Sequence, residues 1–281
     1  MAQLTGVGRG GRPVGAVISP MAGAVLLDID GVLTVSWRAL PGAVEAMGWL
    51  VDHHVDYRLV TNTSSRTRRE IAVLLSEAGM DVDGSLILTA VSSAARYLND
   101  TYPGRGCLVV NEGDLGEDLE GVDQVDADHA GVVLLGGAGP SVGFEVLNRV
   151  FRLARSGVPL VALHRNTRFE TTDGLVLDMG AFLLGLEAAA GVTATVVGKP
   201  ARAFFEAALD DVGVGPAQAM MVGDDLVSDV LGAQSLGITG VLVRTGKFRP
   251  TDLDGGDGRP DHVIDDIGRL PDLLEDVTEH R

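Results

Sequence analysis

The sequence is poor in cysteine, in aromatic residues and in positive charge. One cysteine, Cys107, stands among 281 residues. That excludes an intramolecular disulfide and any zinc site built from several thiolates. It lies in the apolar run Cys107-Leu108-Val109-Val110, which predicts a buried, inert thiol. Aromatic residues make up 4%, so aliphatic side chains must fill the core. Lys and Arg number 22 against 39 Asp and Glu, a formal net charge of −17. That field repels nucleic acid and anionic membrane surfaces, so neither is expected as a partner. An anionic ligand has to be drawn by a local cation instead. No apolar run approaches ~18 residues, so no membrane-spanning helix is expected. Residues 1–20 are Gly-rich, carry Arg9 and Arg12 and lack a continuous apolar stretch, which argues against a signal peptide. They read as a disordered extension, or as sequence ahead of a true start at Met21, and a cytoplasmic location is the expectation.

What is present is an alternation of short apolar runs with helical patterns. Residues 25–27, 57–60, 108–110, 132–135, 159–163, 195–197, 219–222 and 240–243 read as strands buried on both faces. Between them, Pro41 opens a helix with Val44, Met47 and Val51 on one face. A second helix turns Ile71, Leu74, Leu75 and Ala78 inward and stops at Gly79. A third, over 141–156, turns Leu147, Val150, Phe151 and Ala154 inward. Helices are also expected over 180–190 and 226–235, and a loop over 250–261. This pattern predicts an α/β fold with parallel sheets and helices on both faces.

Four polar clusters follow apolar strands: Asp28/Asp30, Thr61/Asn62, Lys199 and Asp224/Asp225/Asp229. In open α/β sheets, ligands bind beyond the carboxyl ends of the strands. Each cluster alone has an ordinary reading as a turn or a capped helix start. Together, in this order, they point to chemistry. Asp28 and Asp30, two apart, can project to one side of an extended segment. Their mutual repulsion calls for a cation or a shared proton. Mg²⁺ (magnesium) suits such oxygen ligands, with Asp224 as a third carboxylate. Lys199 adds positive charge for phosphoryl oxygens, and Thr61 and Asn62 offer hydrogen bonds. A carboxylate nucleophile at Asp28 gives an aspartyl-phosphate, and Asp30 suits the general acid/base by position.

These segments resemble the haloacid dehalogenase superfamily of phosphohydrolases. The resemblance rests on Leu26-Leu27-Asp28-Ile29-Asp30-Gly31-Val32-Leu33, Val60-Thr61-Asn62-Thr63, Val196-Val197-Gly198-Lys199-Pro200 and Met221-Val222-Gly223-Asp224-Asp225-Leu226-Val227-Ser228-Asp229. It implies a Rossmann-like core, with Asp28 as nucleophile and Asp30 as acid/base. It implies Mg²⁺ held by the Asp28 carboxylate, the Asp30 backbone carbonyl and Asp224. Asp229 and Asp225 would support that shell, and Thr61, Asn62 and Lys199 would hold phosphate. The pair of acids two residues apart is the phosphatase form of the motif.

Between Thr61 and Lys199 lie 137 residues, too many for one crossover, so a second domain is inserted there. The expected division is a core of 21–89 with 193–281 and an α/β cap of 90–192. That placement resembles subfamily IIA, the NagD-like branch, as do residues 173–180 and 243–250. Relatives there often carry Asn-Pro-Asp where this chain has His164-Arg165-Asn166, so His164 and Arg165 are candidate substrate contacts from the cap. The resemblance implies a small phosphorylated substrate, a phosphomonoester, phosphoamide or pyrophosphate, and a homodimer as one arrangement. A phosphotransferase with the same intermediate and a catalytically weak binding or regulatory protein are the alternatives. The Gly137-Ala138-Gly139 pattern imitates a dinucleotide loop but reads as a turn inside the cap. His53, His54 and the acidic loop 252–261 read as solvated.

Overall fold

The computed structural model describes residues 23–171, 174–254, 256 and 258–279. The expectations for residues 1–20 and Met21 lie outside them, as does Asp173. The first half runs β1 (Ala24–Leu27), a small hairpin of β2 (Thr34–Val35) and β3 (Arg38–Ala39), α1 (Ala43–Asp52), β4 (Asp56–Thr61), α2 (Arg68–Glu77), β5 (Ile87–Thr89) and α3 (Ala90–Thr101). Next come β6 (Cys107–Val110), β7 (Val132–Leu135), α4 (Phe144–Arg155) and β8 (Leu160–Ala162). A hairpin of β9 (Arg168–Thr171) and β10 (Gly174–Leu177), then α5 (Met179–Ala190) and β11 (Thr195–Val196), complete the middle of the chain. The last part is α6 (Arg202–Val212), β12 (Ala219–Gly223), a helical turn over Leu226–Leu231 that runs into α7 (Gly232–Gln234), β13 (Thr239–Val243), β14 (His262–Ile264) and α8 (Leu270–Glu279).

Two parallel sheets result. The larger has the order β14-β13-β12-β1-β4-β5 and the smaller β11-β8-β7-β6. All pairings within both are parallel. The central strand β1 is wholly buried, which explains its unbroken apolar sequence. On one face of the larger sheet, Leu26 and Val60 pack with Phe204, Phe205 and Leu209 of α6. On the other, Leu27 and Leu59 pack with Met47 and Leu50 of α1 and with Ile71 and Leu75 of α2. Each large side chain so buried contributes ~1.5–3 kcal/mol.

The structure corrects two readings. In α1 the inward residues are Ala43, Ala46, Met47 and Leu50, whereas Val44 and Val51 are 39% and 55% exposed. The helix begins at Ala43 rather than Pro41, and its partners are Ile267, Leu270 and Leu274 from the far end of the chain. An all-round apolar helix cannot reveal in sequence which stripe those partners cover. The second correction concerns β11, assigned to the core in the expected division. It pairs with β8 and so belongs to the smaller sheet. The chain re-enters the core only at Lys199.

The cap is seated on the core by ion pairs as well as by the chain crossings. Asp118, buried in a short cap turn, accepts from the Arg68 backbone N–H at 2.8 Å and from Arg68 Nε at 3.0 Å. The Arg69 guanidinium donates to both oxygens of Glu117. The glycine pattern at 137–139 is an irregular loop that leads into a turn at 140–141: the Gly137 N–H donates to Asn111 Oδ1 and the Ala138 N–H to Asp178 Oδ1. Those amides are committed within the protein, unlike the open cradle of a dinucleotide loop. His53 and His54 are exposed. Asp261 is exposed, as expected, and also accepts from the Gly240 N–H and from Gln234 Nε2, both at 2.8 Å.

Candidate active site

The site forms where the chain leaves β1, β4, β12 and β13. Asp28 follows β1, Asn62 follows β4 and Asp224 follows β12. Lys199 arrives differently, from the end of cap strand β11. Asn62 captures it: Asn62 Oδ1 accepts from the Lys199 N–H at 2.8 Å, and Asn62 Nδ2 donates to the Lys199 carbonyl at 2.9 Å. Asn62, expected as a phosphate donor, thus also braces the returning chain. Lys199 is joined to Pro200 by a cis peptide bond.

The Lys199 amine is 3% exposed. It lies 2.7 Å from Asp28 Oδ1, 2.7 Å from Asp229 Oδ1 and 3.2 Å from the Val60 carbonyl oxygen. Burial alone would depress its pKa, but the Asp229 and Asp28 carboxylates outweigh burial and hold it above the ordinary lysine value. The amine stays charged and orients the Asp28 carboxylate.

Asp224 completes the floor. Its Oδ2 accepts from the Lys247 backbone N–H at 2.7 Å, while its Oδ1 is buried without a hydrogen-bond partner. Gly31, at φ 86°, and Gly246, at φ 60°, press against this carboxylate, and a Cβ on either would overlap it. Burial, with the charges of Asp28 and Asp229, pushes the Asp224 pKa up to about 8. Asp28, Asp224 and Asp229 each offer an oxygen within 4.8 Å of the others. An orphaned buried carboxylate oxygen among three converging acids fits a hard divalent cation. Asp229 has other duties as well: its Oδ1 holds Lys199, and its Oδ2 accepts from the Asp225 N–H at 3.2 Å. It projects inward from a widened helical turn that starts where the Val230 N–H reaches back to the Asp225 carbonyl. Asp225 caps that turn through the Val227 and Ser228 N–H groups.

Asp30 stands at the mouth, open to solvent. The protein crowded around its carboxyl still withdraws enough water to raise its pKa, against the pull of Lys247, of a hydrogen bond from Thr63 at 3.4 Å and of Lys199. Thr61 lies beneath, buried, and its Oγ1 donates to Thr63 Oγ1 at 3.0 Å.

The two cap candidates part company. His164, at the end of β8, is 3% exposed, with Nε2 3.8 Å from Asp178 Oδ2 and Nδ1 unpartnered. Burial lowers its pKa, so the ring is neutral near pH 7. Arg165 is instead engaged in a two-pronged pair with Glu187, at 2.8 and 2.6 Å. Sequence reasoning assigned no role to Thr245, Gly246 and Lys247. The signal available was their position directly after β13, one further strand of the same sheet.

Fold and site together define a capped α/β hydrolase built around a carboxylate cluster and a buried lysine. Comparison with known proteins agrees. The family model for haloacid dehalogenase-like hydrolases matches residues 25–124, and a HAD-hydrolase-like model matches residues 196–270. The phospholysine phosphohistidine inorganic pyrophosphate phosphatase of Rattus norvegicus is 36% identical over 256 residues, covering 89% of this chain and 93% of its own. The p-nitrophenyl phosphatase of Archaeoglobus fulgidus superposes with a TM-score of 0.84 at 27% identity, over 91% of this chain and 99% of that one. NagD from Escherichia coli K-12 does so with a TM-score of 0.80 at 27% identity, over 88% and 97%. The chain belongs to the haloacid dehalogenase-like hydrolases, in their NagD-like branch, and is an enzyme of the phosphatase class. Among the described residues no helix is long and apolar enough to cross a membrane.

Proposed function

We propose that the protein is a Mg²⁺-dependent phosphatase that hydrolyses a small phosphorylated molecule through an aspartyl-phosphate on Asp28. The observation that carries this is the placement of Asp28: buried, clamped by Lys199 at 2.7 Å, and clustered with an Asp224 oxygen that has no other partner. The Asp28 and Asp224 carboxylates, with the Asp30 carbonyl, would hold the ion. Once bound, it supplies charge screening between an anionic nucleophile and an anionic phosphoryl group.

Asp28 attacks phosphorus through a carboxylate oxygen while the bond from phosphorus to the leaving atom breaks. Asp30 gives its proton to that leaving atom, and a raised pKa keeps more of it protonated for the purpose. The Asp30 carboxylate then takes a proton from water, which attacks phosphorus as the bond to Asp28 breaks. Phosphate leaves, and Asp30 is protonated again. Lys199 stays charged throughout, holding Asp28 in line, and its positive charge beside Asp28 favours the phosphoryl group that Asp28 receives. The cap closes over this mouth and limits solvent access during transfer.

The test is phosphate release from p-nitrophenyl phosphate with added Mg²⁺. Asp28→Asn is expected to abolish it with the circular dichroism spectrum unchanged. Turnover retained in that variant would remove Asp28 as nucleophile.

A further inference from the structure

Lys247 is bolted to the carboxylate floor by its backbone and left loose at its charge. The preceding Thr245 donates its hydroxyl to the Gly31 carbonyl at 2.5 Å. Gly246 packs on the Asp224 carboxylate, and the Lys247 N–H donates to it. Three consecutive residues are therefore fixed. The ammonium is not: among the described residues its ion pair is to Asp225 at 3.7 Å, and the side chain is 61% exposed.

Two other cations named for the site are committed elsewhere. Lys199 is saturated by two carboxylates and a carbonyl, and Arg165 is held by Glu187. The charge of Lys247 acts on Asp30 at the mouth of the core and on His164 of the cap. Anchored on Asp224 by its backbone and exposed at its ammonium, it stands on the solvent side of the phosphoryl-handling acids. That is where the part of a substrate beyond its transferred phosphoryl group must lie.

We propose that Lys247 is a specificity-determining residue that selects phosphorylated substrates bearing a second anionic group, a carboxylate or a further phosphate, by exchanging its long contact with Asp225 for that group. The inference rests on the phosphatase reading and narrows its substrate class. A charge at a solvent-facing rim contributes mainly to substrate capture, so its loss raises KM more than it lowers kcat. The buried Lys199 cannot take this part without releasing Asp28.

The experiment compares kcat/KM for pyrophosphate and phosphoglycolate with kcat/KM for p-nitrophenyl phosphate, which has no second anion. The parent protein, Lys247→Gln and Lys247→Arg are measured side by side. The ratio of two-anion to one-anion efficiency is expected to fall about tenfold in Lys247→Gln, through KM, as befits loss of one charge-assisted contact. Lys247→Arg is expected to restore most of it. Separate arms for pyrophosphate and phosphoglycolate tell phosphate from carboxylate as the second group. An unchanged ratio overturns the proposal. So does an equal loss on all substrates, or a parent enzyme that turns over only p-nitrophenyl phosphate. Failure of the parent on every substrate would instead overturn the phosphatase reading, and this proposal with it.

Discussion

Replacing Asp224 by asparagine in the metal-free protein is expected to stabilise the fold, and to do so more strongly as pH rises. Asp224 is buried beside Asp28 and Asp229, and its pKa is pushed from 3.8 up to about 8. A carboxyl with a raised folded-state pKa favours folding fully below its unfolded value, and that contribution is lost as pH rises through the folded value. One pKa unit is worth ~1.36 kcal/mol. Between pH 5 and pH 8.5 the parent should therefore lose roughly 3–4 kcal/mol relative to Asp224→Asn, most of it before pH 8. Asparagine keeps an oxygen to accept from the Lys247 N–H, so the variant removes charge and little else. The assay is urea unfolding in chelator at pH steps from 5 to 8.5, with free energies taken by linear extrapolation. Adding Mg²⁺ should flatten the parent's slope and leave the variant's nearly unmoved, because a ligand of the native state stabilises it by mass action. A stability gap between parent and variant that stays constant over this range would refute the argument that these acids are held together at a cost.

Two further outcomes follow from the same geometry. Gly31→Ala should destabilise the protein by about 1–3 kcal/mol and weaken Mg²⁺-dependent turnover, because its Cβ meets the Asp224 carboxylate at a φ that disfavours side chains; thermal melts and p-nitrophenyl phosphate kinetics read both. Cys107 is buried, and burial pushes its thiol pKa up to about 11, so iodoacetamide at pH 8 should leave it unmodified in the native protein and alkylate it in urea.

Most strands of both sheets could be read from sequence because parallel strands buried on two faces are written as continuous apolar runs. The acids could be read because they stand directly after those runs. Asp28 and Asp224 needed no tertiary knowledge to be singled out. The small hairpins, β5, β14, α3 and α8 were not foreseen, since each is too short or too mixed to carry a clear periodic signal. Nor could sequence show that β11 pairs within the cap, because a two-residue strand fits either sheet equally well.

Local pattern thus singled out the candidate site residues and most of the strands and helices. Tertiary packing decided what those residues touch. It made Asn62 a brace of Lys199, tied Arg165 to Glu187 and set the Lys247 backbone on Asp224. A strand end fixes where a side chain starts, through the backbone alone. Its partners can come from far along the chain, as with Asn62 and Lys199, 137 positions apart, and only the folded sheet order sets those distances.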